Sequence, residues 1–124
     1  MSTHSDKIGS NEIDSDKKAA LQQMLSALEQ EYSSTLRSEL REANSLFSRL
    51  QEHWDRSILN LLLEKLHKLI GTTGSFGYRA LSGEIAKIER ELIKYRTAKE
   101  APNNEQQQRL LSELRDLEKY VQTP

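Results

Sequence analysis

The stretch DRSILNLLLEKLHKLIGTTGSFG, residues 55–77, decides how this chain folds. Leu59, Leu62, Leu63, Leu66, Leu69 and Ile70 recur at steps of three and four, the period of one face of an α-helix. Asp55 supplies the short acceptor side chain of an N-cap, and Trp54 stands where a hydrophobic residue can staple onto Leu59. The stretch closes on Gly71, Gly74 and Gly77, three of the five glycines in the chain. The simplest reading is that this run ends the helix and begins the connection to the next.

The same period extends on both sides. Upstream, Leu21, Met24, Leu25, Leu28 and Tyr32 make one set, and Leu36, Leu40, Ala43, Phe47, Leu50 and Trp54 a second. Ser33-Ser34-Thr35 between them is a weak breaker, which leaves residues 16–54 as one helix or two. Downstream, Tyr78, Leu81, Ile85, Ile88, Leu92 and Tyr95 mark another helix. A loop over residues 97–103 comes next, then Asn103 and Gln106 in capping-box spacing, and a last helix with Leu110, Leu114, Leu117 and Val121. Residues 1–15 are polar and read as a disordered lead-in, with Ser15 as the N-cap of the first helix.

Composition agrees. Leu, Ala, Glu, Lys and Arg fill 59 of 124 positions, and Leu alone 19, against seven Ile and one Val. Strands draw on β-branched residues, so all-β and α/β folds are excluded. The expected fold is all-α: an antiparallel, up-down-up-down four-helix bundle over residues 16–121, with an additional N-terminal helix or helical extension. Eighteen basic against 19 acidic residues leave a net charge of −1, which offers no footprint for nucleic acid or an anionic membrane. There is no Cys, hence no disulfide framework or thiolate chemistry. The longest apolar run, residues 58–63, is broken by Asn60 and too short to span a bilayer, and no signal sequence opens the chain. A cytoplasmic, monomeric domain is expected.

Chemistry has few candidates. Of three His, His4 lies in the lead-in and His53 at a helix end. With Leu59 at zero and about 100° per residue, the apolar face of its helix centres near 340° and His67 falls at about 80°. His67 therefore sits on the flank of the stripe, reachable from solvent. Asn60, Glu64, Gly71 and Gly74 lie within about 60° of it on the same wheel. Each glycine inside a helix costs about 0.8–1.0 kcal/mol relative to Ala, yet two fall beside this His and leave its ring open to a close approach. Three scattered His and no Cys make no metal site. The glycine run lacks the GxxxxGK[ST] order and comes after a helix, so a nucleotide-binding P-loop is excluded.

Leu66 to Leu81 (LHKLIGTTGSFGYRAL) resembles the phosphoacceptor motif of histidine-containing phosphotransfer (HPt) domains. That pattern has a His, an apolar residue two positions later, Gly four later and often Gly ten later, then an apolar helix. His67, Leu69, Gly71, Gly77 and Leu81 fit it, with Phe76-Gly77 closing the motif. The resemblance implies that His67 accepts a phosphoryl group from a receiver-domain aspartate and passes it to another. It implies docking on a surface shaped by Glu64, Lys68, Gly71, Gly74 and Gly77. It further implies response-regulator receivers and an upstream sensor histidine kinase as partners in bacterial two-component signalling. The chain itself would be no kinase and bind no cofactor, Mg²⁺ lying on the receiver. An imidazole of ordinary pKa, about 6.5, is largely neutral and nucleophilic at neutral pH.

One departure stands out. Many members carry Lys three residues after the His, where this chain has Ile70. Lys68 lies about 100° from His67 and would have to bend back to replace it. Faster loss or transfer of the phosphoryl group is the expectation. Two other readings stay open from the residues alone: a helical adaptor that docks a receiver without chemistry, and an antiparallel coiled-coil oligomerisation module built on residues 16–54, against which the glycine cluster speaks. Phe47 and Trp54 read as core, Glu84, Lys87, Glu91 and Lys94 as a solvated face, and the charges at residues 37–42 as exposed helix.

Overall fold

The computed structural model describes the backbone of residues 2–121 and the side chains of residues 14–121. Among the described residues there are four α-helices and no strand: α1 (Ser2–Glu52), α2 (Arg56–Ser75), α3 (Arg79–Ile93) and α4 (Asn104–Asp116). Short 3₁₀ turns, Lys94–Arg96 and Leu117–Tyr120, continue α3 and α4. The fold is an all-α bundle. No helix among the described residues is long and apolar enough to cross a membrane.

The chain divides within α1. Thr35–Thr123 forms one compact unit, and the preceding part of α1 belongs to another. Ser33-Ser34-Thr35 does not interrupt the helix, because an all-helical backbone on both sides supplies its i to i−4 bonds. Ser15 is likewise an interior residue of α1 and not a cap, so no break separates a lead-in from the helix at residue 15.

Four apolar stripes make the core of the bundle. Leu36, Leu40, Ala43, Phe47 and Leu50 come from α1, and Leu59, Leu62, Leu63, Leu66 and Leu69 from α2. Leu81, Ile85, Ile88 and Leu92 come from α3, with Leu110 and Leu114 from α4 and Leu117 and Val121 beyond it. All are buried, as their spacing demands. Each Leu or Ile removed from water stabilises the bundle by about 1.5–3 kcal/mol before chain entropy is counted. Trp54 closes one end, its ring edge-on to Phe47 at 6.3 Å and to Tyr95 at 6.0 Å between centroids.

Ends and edges are secured as the residue types direct. Asp55 accepts the Ser57 N–H at the start of α2, and Asn103 and Gln106 form a reciprocal capping box on α4. The charges at residues 37–42 brace α1 rather than simply facing water. Lys65 of α2 reaches Glu39 at 2.5 Å and Glu42 at 2.6 Å. Arg41 meets Glu118 at 3.4 Å, and Arg37 donates to the Val121 carbonyl at 3.4 Å. Burial pulls the Lys65 ammonium down, but the two carboxylates outweigh it and hold its pKa above the ordinary value. On α3, Lys87 pairs with Glu84 at 3.0 Å as the solvated-face reading requires. Glu91 instead binds Arg109 and so joins α3 to α4.

Candidate functional site

The glycine run does not end α2 where the apolar period stops. The helix continues through Ile70 to Ser75, so Gly71 and Gly74 are helical and only Gly77 is in the turn. Hydroxyls along this last stretch bond back to the helix backbone. Thr72 donates to the Lys68 carbonyl at 3.2 Å, buried Thr73 to the Leu69 carbonyl at 2.6 Å, and Ser75 to the Gly71 carbonyl at 3.0 Å. Gly77 then takes φ +87°, the left-handed conformation that a side chain resists, and reverses the chain within residues 76–78. A connection this short makes α2 and α3 antiparallel neighbours. Ser82 fastens them, its Oγ donating to the Ile70 carbonyl at 2.9 Å.

His67 stands on the open flank of α2 with 80% of its side chain exposed. Its Nδ1 lies 3.1 Å from Oε2 of Glu89 on α3, a carboxylate that is only 15% exposed. A carboxylate can only accept, so Nδ1 carries the proton and donates it to Glu89. Nε2 is left with its lone pair. One nitrogen is held and the other is available as a nucleophile.

The glycines flank this ring for a reason the fold does not supply. A Cβ on Gly71 would meet nothing within 4 Å, and one on Gly74 would touch only Ser82 Oγ at 3.7 Å, ordinary contact. Alanine would fit at either position and favour the helix by about 1 kcal/mol at each. Internal packing therefore demands neither glycine. Both keep the surface low, one and two turns beyond His67.

Glu64 and Lys68 pair with each other at 3.3 Å, both largely exposed. Lys68 is thus directed back along α2, and Ile70 is half-buried. No ammonium among the described contacts meets the imidazole. Next to this face runs a groove of about 630 Å³ between α1 and α2, with Leu46, Leu61 and Leu69 on its walls and Lys65 and Lys68 at its edge. Leu61 is 52% exposed there.

Of the sequence candidates, His67, Glu64, Lys68, Gly71 and Gly74 share the flank of α2, whereas Gly77 shapes the connection beyond it. Glu89 stands at this site beside His67, and the sequence did not single it out. Its only signal there is a carboxylate on the helix that a tight turn returns against His67. No group of three or more His, Cys, Asp or Glu among the described residues could hold a metal ion.

The chain matches no curated protein sequence and no solved structure. The family model for the Hpt domain matches residues 34–120. It begins at the boundary of the compact unit and takes in α2, the turn at Gly77 and the whole of α3. An exposed histidine on a bundle helix, flanked by glycines that packing does not require, lies within that match, and the chain belongs to the Hpt domain family.

Proposed function

We propose that His67 is the phosphoacceptor of a phosphorelay intermediate, taking a phosphoryl group from an aspartyl phosphate of one receiver domain and delivering it to an aspartate of another. The observation that carries this reading is the His67–Glu89 hydrogen bond on an otherwise open ring. Hpt domains transfer phosphoryl groups through histidine in phosphorelays.

The proposed steps use the free nitrogen of the ring. The Nε2 lone pair of His67 attacks the phosphorus of the aspartyl phosphate, an N–P bond forms, and the P–O bond to the aspartate breaks. The aspartate leaves as its carboxylate. The proton on Nδ1 stays in place, and the imidazolium character that develops on phosphorylation is balanced by Glu89 at 3.1 Å. Glu89 is a positioning residue: it fixes the tautomer and the ring plane, so Nε2 arrives already aimed. The reverse sequence hands the group to the next aspartate. The receiver brings the acidic pocket and Mg²⁺ that stabilise the leaving and entering carboxylates.

Docking uses the low surface at Gly71 and Gly74, with Glu64 and Lys68 at its edge and the Leu61 groove beside it as an apolar seat. Such a chain needs no kinase chemistry of its own, and it works in the bacterial cytoplasm downstream of a sensor histidine kinase.

The test is transfer from a phosphorylated receiver domain. Alkali-stable, acid-labile label should appear on the wild-type chain and be absent from His67→Gln. Glu89→Ala should retain the label but acquire it on the order of tenfold more slowly, with Glu89→Gln recovering part of the rate because its amide oxygen still accepts from Nδ1. Equal labelling of wild type and His67→Gln would sink the reading. Receiver binding without any label would favour a non-catalytic adaptor instead.

A further inference from the structure

Residues 14–31 of α1 hold no buried side chain, yet they carry an ordered apolar stripe. Leu21, Met24, Leu25 and Leu28 are 55%, 63%, 49% and 54% exposed, at the i, i+3, i+4, i+7 spacing that is buried at Leu59, Leu62, Leu63 and Leu66. Most helical stability in proteins comes from packing such a face, and this stretch of α1 leaves its own face exposed. The charges beside the stripe say what fits it.

With Leu21 at zero, the stripe occupies about 300° to 40° on the helical wheel. Lys18 and Glu29 lie together at one edge, at about 60° and 80°. Lys17 and Glu31 lie on the other side of the stripe's centre, at about 320° and 280°, Lys17 within the arc one turn before Leu21 and Glu31 just outside it. On each side the cation precedes Met24 and the anion comes after it by a similar distance. A two-fold axis perpendicular to a helix pair brings like edges together with opposite direction. It would set Lys18 of one chain by Glu29 of the other, and Lys17 by Glu31, with the Leu residues layered between. Parallel pairing joins unlike edges in the same direction, so it would set Lys17 by Lys18 and Glu29 by Glu31. Only the antiparallel arrangement is complementary.

We propose that the stripe formed by Leu21, Met24, Leu25 and Leu28 is a self-association surface, and that its occupant is the same segment of a second copy of this chain running antiparallel. A monomer was expected from the sequence because the glycine cluster speaks against a pairing helix. Those glycines lie in α2 and in the turn after it, so the objection does not reach residues 14–31. The proposal is independent of phosphotransfer at His67.

Sedimentation equilibrium on the full-length chain, from low micromolar to near-millimolar concentration, tests it. The wild type should pass from monomer to dimer across that range. Leu25→Asp should weaken the dimer on the order of 100-fold, since symmetry loses a buried leucine twice, and circular dichroism should show the bundle intact. Lys18→Glu and Glu29→Lys should each weaken it by about threefold, and the double variant should restore it. His67→Gln should dimerise as the wild type does, so failure of one reading leaves the other standing. A chain that stays monomeric throughout overturns the proposal, including one whose stripe instead takes up anionic vesicles. A dimer unmoved by Leu25→Asp overturns it, and so does a Lys18→Glu dimer that tightens, the signature of parallel pairing.

Discussion

Two stretches of α1 carry the same pattern and meet opposite fates. Between Leu36 and Leu50 the apolar residues at helical spacing are at most 1% exposed, whereas between Leu21 and Leu28 the corresponding residues are about half exposed or more. Nothing in the spacing separates them, and both are rich in Leu on a helix of good formers. The difference is that the stripe from Leu36 to Leu50 is covered within its own compact unit, whereas the unit that holds Leu21 to Leu28 covers no such stripe among its described residues. Helical periodicity reports a face that needs covering and is silent about what covers it. The same contrast recurs across α2, where one face disappears into the core and the other presents His67, Gly71 and Gly74 to solvent.

Core truncation tests the comparison most severely. Phe47→Ala should lower the unfolding free energy by about 3–5 kcal/mol, while Leu25→Ala in dilute, monomeric protein should change it by less than about 0.5 kcal/mol. Urea denaturation of both variants would check this; similar losses would mean that the two stripes are covered alike. A smaller effect comes from the open face of α2. Gly71→Ala should raise stability by about 1 kcal/mol, since its Cβ meets nothing, and at the same time slow transfer from a receiver. A variant that gains stability and keeps its transfer rate would show that the low surface at this turn has no bearing on docking. The smallest effect concerns phosphohistidine lifetime. Ile70→Lys should lengthen it by about threefold by placing an ammonium near the phosphoryl group, measured as decay of purified labelled protein. Equal lifetimes would remove any consequence of the half-buried Ile70.

Most of the bundle was legible because helices declare themselves locally. The Leu spacings, the Asp55 cap and the Asn103–Gln106 box all depend on residues within one or two turns of each other, and each is where its chemistry puts it. The place of His67 on the flank of α2 came from the same geometry. The features that were not legible needed more. Gly71 to Ser75 stayed helical although two glycines lie in that stretch, with the hydroxyls of Thr72, Thr73 and Ser75 turned back onto carbonyls three and four residues earlier. Glu39 and Glu42 found Lys65, and Glu91 found Arg109, through the rotation of one helix against another. Glu89 belongs to the same class. A sequence shows which helix carries it, but its alignment with His67 depends on the length of the turn at Gly77 and the anchor at Ser82.

That anchor ties reactivity to the seam between two helices. The Nδ1 proton of His67 is held from α3, and α3 is held at its start by Ser82 on the Ile70 carbonyl. A slip of α3 by a single turn, about 5.4 Å, leaves every helix intact and removes Glu89 from the ring. On warming, therefore, the competence to receive a phosphoryl group should fade before the helical signal does, which makes thermal inactivation a more sensitive gauge of the α2–α3 seam than circular dichroism.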